Sequence, residues 1–262
     1  MLKFSYKCHD IVALALKQDP VCLMEQVHKE IDGVRILRGI DLSIQKGEVT
    51  ALLGPNGAGK TSTIRIIVGL LKPTSGKVEV FGLRVPENQE IIRSKIGLLP
   101  QDNAGYKGLT ARQNIEFMIE LSGKKISDYR GRINSLLDRL DLSEVADKKW
   151  GVLSGGEQRA IGFIRAVLVG EEFLILDEPT TGLDLARAAI IRKLIQEQVN
   201  SGKTVLMSSH ILTDLEELAK NIVIIKKGKI IKSGSREEIQ NHFAKGLTLE
   251  DAIVAAFRSK EQ

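Results

Sequence analysis

Short apolar runs at 49–53, 96–99, 173–176, 204–207 and 222–225 punctuate the chain. Each is short enough to be a strand buried on both faces, and most lead through a loop rich in Gly, Ser, Asp or Pro into a stretch with helical spacing. That alternation predicts an α/β fold, with a sheet covered by helices and polar groups gathered at the strand ends, where open α/β sheets bind ligands. Residues 109–140 break the rhythm: apolar positions recur at helical spacing with no strand-like run between them, which predicts a helical lobe inserted into the sheet domain. After Ser233 the pattern predicts two short packing helices, 236–243 and 249–257, with Thr248 as N-cap of the second. The first nineteen residues precede the first convincing strand and carry no motif. They fit either an added helix or an over-long start assignment.

The run Gly54-Pro55-Asn56-Gly57-Ala58-Gly59-Lys60-Thr61 fits G-x-x-x-x-G-K-[ST] between a predicted strand and a predicted helix. Glycines let the backbone curl so that successive N–H groups face one anion, and the helix that follows opens with unpaired donors and the positive end of its dipole. Lys60 is expected to reach the β- and γ-phosphates of a nucleotide, and Thr61, followed by Ser62, to offer a hydroxyl to magnesium. A second acidic source stands at the end of the strand 173–176, in Asp177 and Glu178. Asp177 is expected to hold magnesium through a water and Glu178 to polarise the water that attacks the γ-phosphate. His210, after Ser208 and Ser209, closes another strand and is placed to hydrogen-bond a γ-phosphate oxygen. Cys8, His9, His28 and His242 lack such a context and are read as structural.

Composition adds bounds. The 262 residues, 43% of them hydrophobic, suffice for one large α/β domain with an inserted lobe. The 38 basic and 33 acidic residues, net +5, are interspersed, so the surface reads as an ordinary solvated one and no nucleic-acid partner is expected. Two cysteines, Cys8 and Cys22, form no CxxC pair and point to neither a disulfide framework nor zinc. No run approaches the roughly 18 apolar residues that span a bilayer, the nearest being residues 11–16.

Leu153-Ser154-Gly155-Gly156-Glu157-Gln158 narrows the chemistry, because it resembles the LSGGQ signature of ATP-binding-cassette (ABC) ATPases. Glu178-Pro179-Thr180-Thr181-Gly182-Leu183-Asp184 resembles the Walker B to D-loop passage of that family, Leu99-Pro100-Gln101 its Q-loop, and Ser209-His210 its switch region. The resemblance runs from about residue 20 to 235. It implies a P-loop NTPase core with an antiparallel β lobe and an inserted helical signature subdomain at about 103–165, flanked by an extension at 1–19 and a helical tail at 236–262. It also implies that Ser154, Gly155, Gly156 and Glu157 close over ATP held by a second ABC ATPase subunit, with Asp184 at the shared interface and Gln101 near magnesium. ATP and magnesium are the expected cofactors.

By the same resemblance the chain is the motor of a transporter, cytoplasmic and peripheral on the inner face of the membrane, driving separate permease subunits. The order after the Q-loop, Gly108 to Asn114, looks most like exporter ATPases. An importer subunit and a soluble assembly factor of the iron-sulfur type share the single short cassette. A P-loop GTPase or kinase leaves Leu153 to Gln158 and His210 without a role.

Two positions depart from the family pattern. Ile31 stands where an aromatic residue stacks on adenine. Since such stacking is worth about 1–3 kcal/mol per base, weaker adenine selectivity is expected, unless Tyr6 or Phe4 compensates. Ala160 stands where arginine is usual, with Arg159 beside it.

Overall fold

The computed structural model describes residues 19–259. Expectations placed on Phe4, Tyr6, Cys8, His9 and the remainder of the extension up to residue 18 lie outside them.

The chain opens with β1 (Cys22–Ile31), β2 (Val34–Ile44) and β3 (Val49–Leu53), then α1 (Lys60–Ile67), β4 (Ser75–Val80), β5 (Leu83–Arg84), α2 (Gln89–Lys95) and β6 (Ile96–Leu99). Helices α3 (Ala111–Leu121), α4 (Ile126–Arg139) and α5 (Gly155–Val169) follow, and then β7 (Phe173–Asp177), α6 (Leu185–Asn200), β8 (Thr204–Ser208) and α7 (Leu212–Leu218). The described chain closes with β9 (Asn221–Lys226), β10 (Lys229–Ser235), α8 (Arg236–Ala244) and α9 (Leu249–Arg258). Two sheets result. One is antiparallel, in the order β2-β1-β4-β5; the other runs β10-β9-β3-β8-β7-β6 and is parallel except at its β10 edge.

The central strands are continuous apolar runs because both faces are covered. Along them, side chains alternate between two cores with the period of two that a pleated strand imposes. Ala51, Leu174, Met207 and Ile224 enter a core shared with α3, α4, α5 and α6, while Leu52, Ile175, Leu206 and Ile225 enter one shared with α1 and the antiparallel sheet. The antiparallel sheet and the helical segment are thereby fixed on opposite faces of one platform. Residues 109–140 contain α3 and α4 and no named strand. Thr110 starts α3 with a reciprocal capping box to Gln113, and Thr248 does the same for α9 with Asp251.

Candidate active site

The loop between β3 and α1 closes tightly, with Ala58 N donating to Pro55 O at 3.1 Å. Gly59 precedes the helix at φ 112, and a Cβ there would lie 2.6 Å from Leu37 Cδ2, so both backbone angle and space demand glycine. The first turn of α1 carries no acidic side chain, which leaves the dipole of the helix end free to favour an anion. Lys60 Nζ turns back along the loop, donating to Gly54 O at 2.7 Å and Pro55 O at 3.3 Å.

A cavity of about 400 Å³ opens above this loop. Asn56, Gly57, Ala58, Gly59, Lys60, Thr61 and Ser62 line it from one side, and Gln101, Asp177 and Glu178 from the other. Residues distant in sequence meet because β6 and β7 are neighbours and both end at this rim. Thr61 Oγ1 lies 3.5 Å from Asp177 Oδ2. Asp177 is 3% exposed; its burial pushes the carboxyl pKa up, against the pull of a hydrogen bond from Ser208 Oγ. Glu178 takes φ 55, a left-handed conformation uncommon for a residue with a side chain and held here by neighbours. Its N–H donates to Ser208 O at 3.1 Å and to Ser208 Oγ at 3.0 Å. His210 Nδ1 stands 3.3 Å from Glu178 Oε1.

The motifs thus assemble into two groups. Ser154, Gly155, Gly156, Glu157 and Asp184 do not line the cavity. Ser154 N-caps α5 in a capping box, its N–H donating to Glu157 Oε2 at 2.7 Å and its Oγ accepting from Glu157 N at 3.2 Å. Asp184 N-caps α6, and the hydrogen bond from Arg187 N, at 2.8 Å, holds its carboxyl below the usual carboxylate range. The two caps lie side by side, since a Cβ on Gly156 would be 3.1 Å from Gly182 O. Ile31, at the β1–β2 hairpin, is 42% exposed and is not among the lining residues; Ile36, on β2, occupies that wall. The isoleucine that lines the cavity thus stands five places further along the chain than Ile31.

Ala160 is buried in α5, and the arginine beside it reaches the site. Arg159 is 3% exposed and donates to Pro100 O at 2.6 Å, Gln101 O at 3.1 Å and Glu178 O at 2.8 Å, and also to Asp177 O. Burial lowers its pKa, while Asp177 and Glu178 oppose that effect. One guanidinium, with its fork of donors, therefore ties the helix of Ser154 to both strand ends at the cavity. Ser208, Arg159 and Ile36 are site-forming residues that sequence reasoning missed or undervalued. Nearness in sequence to His210, and to the position where the family usually has arginine, was the available signal for the first two.

The family profile described as "ABC transporter" matches residues 37–181, which is more than half of the chain. The chain belongs to the ABC transporter family. Among its relatives, the uncharacterized ABC transporter ATP-binding protein YhaQ of Bacillus subtilis (strain 168) is 36% identical over 85% of this chain and 74% of its own length. Nod factor export ATP-binding protein I of Burkholderia pseudomallei (strain 1710b) is 33% identical over 80% of this chain and 69% of its own. A solved structure of MJ0796, described as a dimeric bacterial ABC transporter cassette, superposes with a TM-score of 0.74 at 25% identity, covering 82% of this chain and 98% of that one. The protein is accordingly an ATP-binding, ATP-hydrolysing ABC subunit. Among the described residues no helix is long and apolar enough to cross a membrane.

Proposed function

We propose that this ATPase is the motor of an exporter, that it works as a head-to-tail pair enclosing two ATP, and that it drives separate permease subunits. The observation that carries the pairing is the separation of the two anion-adapted helix starts, α1 at the cavity and α5 outside it. The cavity at α1 takes the chain's own nucleotide, whereas α5 needs a phosphate that the same chain does not bring to it, and a second copy supplies one to each. The printed name of the Nod factor relative supports export, and the MJ0796 dimer supports the pairing. A mostly apolar groove of about 320 Å³ beside Pro100, lined by Leu70, Leu98 and Met118, offers a seat for a permease helix one residue from Gln101.

Magnesium fits the donor set. A hydroxyl, a carboxylate and the Gln101 amide line the cavity, all oxygen donors suited to a hard cation. No group of three or more His, Cys, Asp or Glu that could hold a metal exists among the described residues, so nucleotide and solvent oxygens would supply the remaining ligands. Thr61, Asp177 and Gln101 would hold the ion, and when bound it supplies charge neutralisation at the β- and γ-phosphates. Lys60 leaves the loop carbonyls for the phosphates. Glu178 orients and polarises the attacking water, and His210, held 3.3 Å from it, meets the γ-phosphate.

Glu178→Gln keeps the shape of the cavity and removes the base. We expect ATP affinity within about threefold of wild type and hydrolysis down by about 10²-fold or more, whereas Lys60→Ala loses binding itself. Equilibrium binding of a fluorescent ATP analogue and steady-state phosphate release measure the two; wild-type turnover in Glu178→Gln overturns the assignment.

A further inference from the structure

Behind the cavity lies a buried carboxylate that the chemistry above does not use. Asp214, on α7, is 0% exposed. One of its oxygens, Oδ2, accepts two hydroxyls: Thr180 Oγ1 at 2.5 Å and Ser209 Oγ at 2.9 Å. The other, Oδ1, faces Arg192 Nη1 of α6 at 3.3 Å, and Arg192 in turn pairs with Glu217 at 2.8 Å. Thr180 and Ser209 are themselves 2% and 5% exposed. A charge buried this deeply is costly unless it is paired and hydrogen-bonded, and here both hydroxyl partners come from the loops that carry Glu178 and His210.

The placement of the two hydroxyls matters. Thr180 stands two residues after Glu178, on the segment that continues to Asp184. Ser209 stands one residue before His210. Strands β7 and β8 pair up to Asp177 and Ser208, so beyond those residues the ladder no longer sets the distance between the two chains. Past the bonds from Glu178 N–H to Ser208 and the contact of Glu178 with His210, Asp214 is the next tie. We propose that Asp214 is a positioning residue that bolts the loop after β7 to the loop after β8, keeping Glu178 and His210 in register and making the segment toward Asp184 move with them. One carboxylate oxygen joins Thr180 to Ser209, so a shift of either loop is felt by the other. Arg192 adds the helix that Asp184 caps to the same linkage.

This inference rests on the roles proposed for Glu178 and His210, which loss of hydrolysis in Glu178→Gln tests by itself. The experiment is steady-state ATP hydrolysis by the full chain, comparing wild type, Asp214→Asn, His210→Ala and the double variant, with melting temperature recorded for each. Asp214→Asn should lower kcat about tenfold or more while moving KM for ATP by less than about twofold, as expected when a group acts on the transition state alone. Added to His210→Ala, it should cost little more, because residues acting through one another are not additive. An unchanged kcat, or losses that multiply in the double variant, overturns the proposal. Should Asp214→Asn not fold, Ser209→Ala keeps the Arg192 pair and the Thr180 bond intact. A kcat several-fold lower at constant KM supports the linkage, and a wild-type kcat refutes it.

Discussion

Lys203, just before β8, reaches back to the end of α5, where its ammonium donates to Val167 O at 3.2 Å and Gly170 O at 2.7 Å. A cation suits a helix C-terminus, yet burial outweighs that benefit and, with Arg132 and Lys124 nearby, lowers its pKa to about 8. The unfolded chain holds this proton up to the ordinary value of 10.5. Between those two values the unfolded state binds more protons than the folded one, so this group's contribution to stability rises with pH across that window and is flat below it. Urea unfolding of wild type and Lys203→Met from about pH 7 to 10 isolates the effect from other titrations. The wild-type midpoint should gain on the variant's as pH passes about 8; a constant difference rejects the assignment. Arg159 and Asp214 belong to the same scale, since each is a buried charge whose meaning lies wholly in its partners. Neither could be weighed from sequence: an arginine beside an expected arginine position and an acid in the first turn of a short helix both read as ordinary surface residues until packing turns them inward.

At the level of elements, strand and helix approach one another closely where β6 meets α5. A Cβ on Gly97 would sit 2.0 Å from Ala166 O and 2.8 Å from Leu174 Cδ2. Neither a helix carbonyl nor a core leucine can move aside cheaply, so Gly97→Ala should cost about 1–3 kcal/mol as overpacking, read as a lower denaturant midpoint at unchanged slope. Unaltered stability would mean that the two elements are further apart than described. The same elements explain what was legible beforehand. The parallel strands could be read from sequence because two-sided burial turns each into a bounded apolar run, and β7 and β8 differ from expectation only by Asp177 and Ser208, polar residues that extend the ladder as partners. The residues of β1 were harder to read, because register shifts between Met24 and Val27 and again near His28, with Gln26 at φ 46, break the alternation on which strand recognition depends. The phosphate loop needed no structure, since its glycines and lysine are contiguous. Its wall at Ile36 did, because a hairpin decides which of two isoleucines faces the cavity.

For the whole molecule, the proposed pairing makes a single chain half of two sites. Leu185, next to Asp184, is 90% exposed, and Val152, just ahead of the α5 cap, is 72% exposed. Large apolar side chains this open, flanking two helix caps, suit a surface that another protein covers. A two-fold pair brings each such surface to the other chain's cavity and leaves a closed assembly. ATP can favour that pair only through contacts made in the closed state and absent in the open one, and the γ-phosphate touched from both sides is such a contact. Glu178→Gln, which does not consume its ligand, should therefore double in mass by light scattering with ATP and magnesium, and remain a monomer with ADP. Ser154→Arg supplies the finer test. Ser154 is outside the cavity, so in the Glu178→Gln background this substitution should leave ATP binding to the monomer within about threefold while abolishing the dimer, because a bulky cation on the cap blocks the partner's phosphate without touching the chain's own. Loss of both together would place Ser154 in the chain's own nucleotide site and break the head-to-tail scheme; retention of the dimer would place the interface on another face.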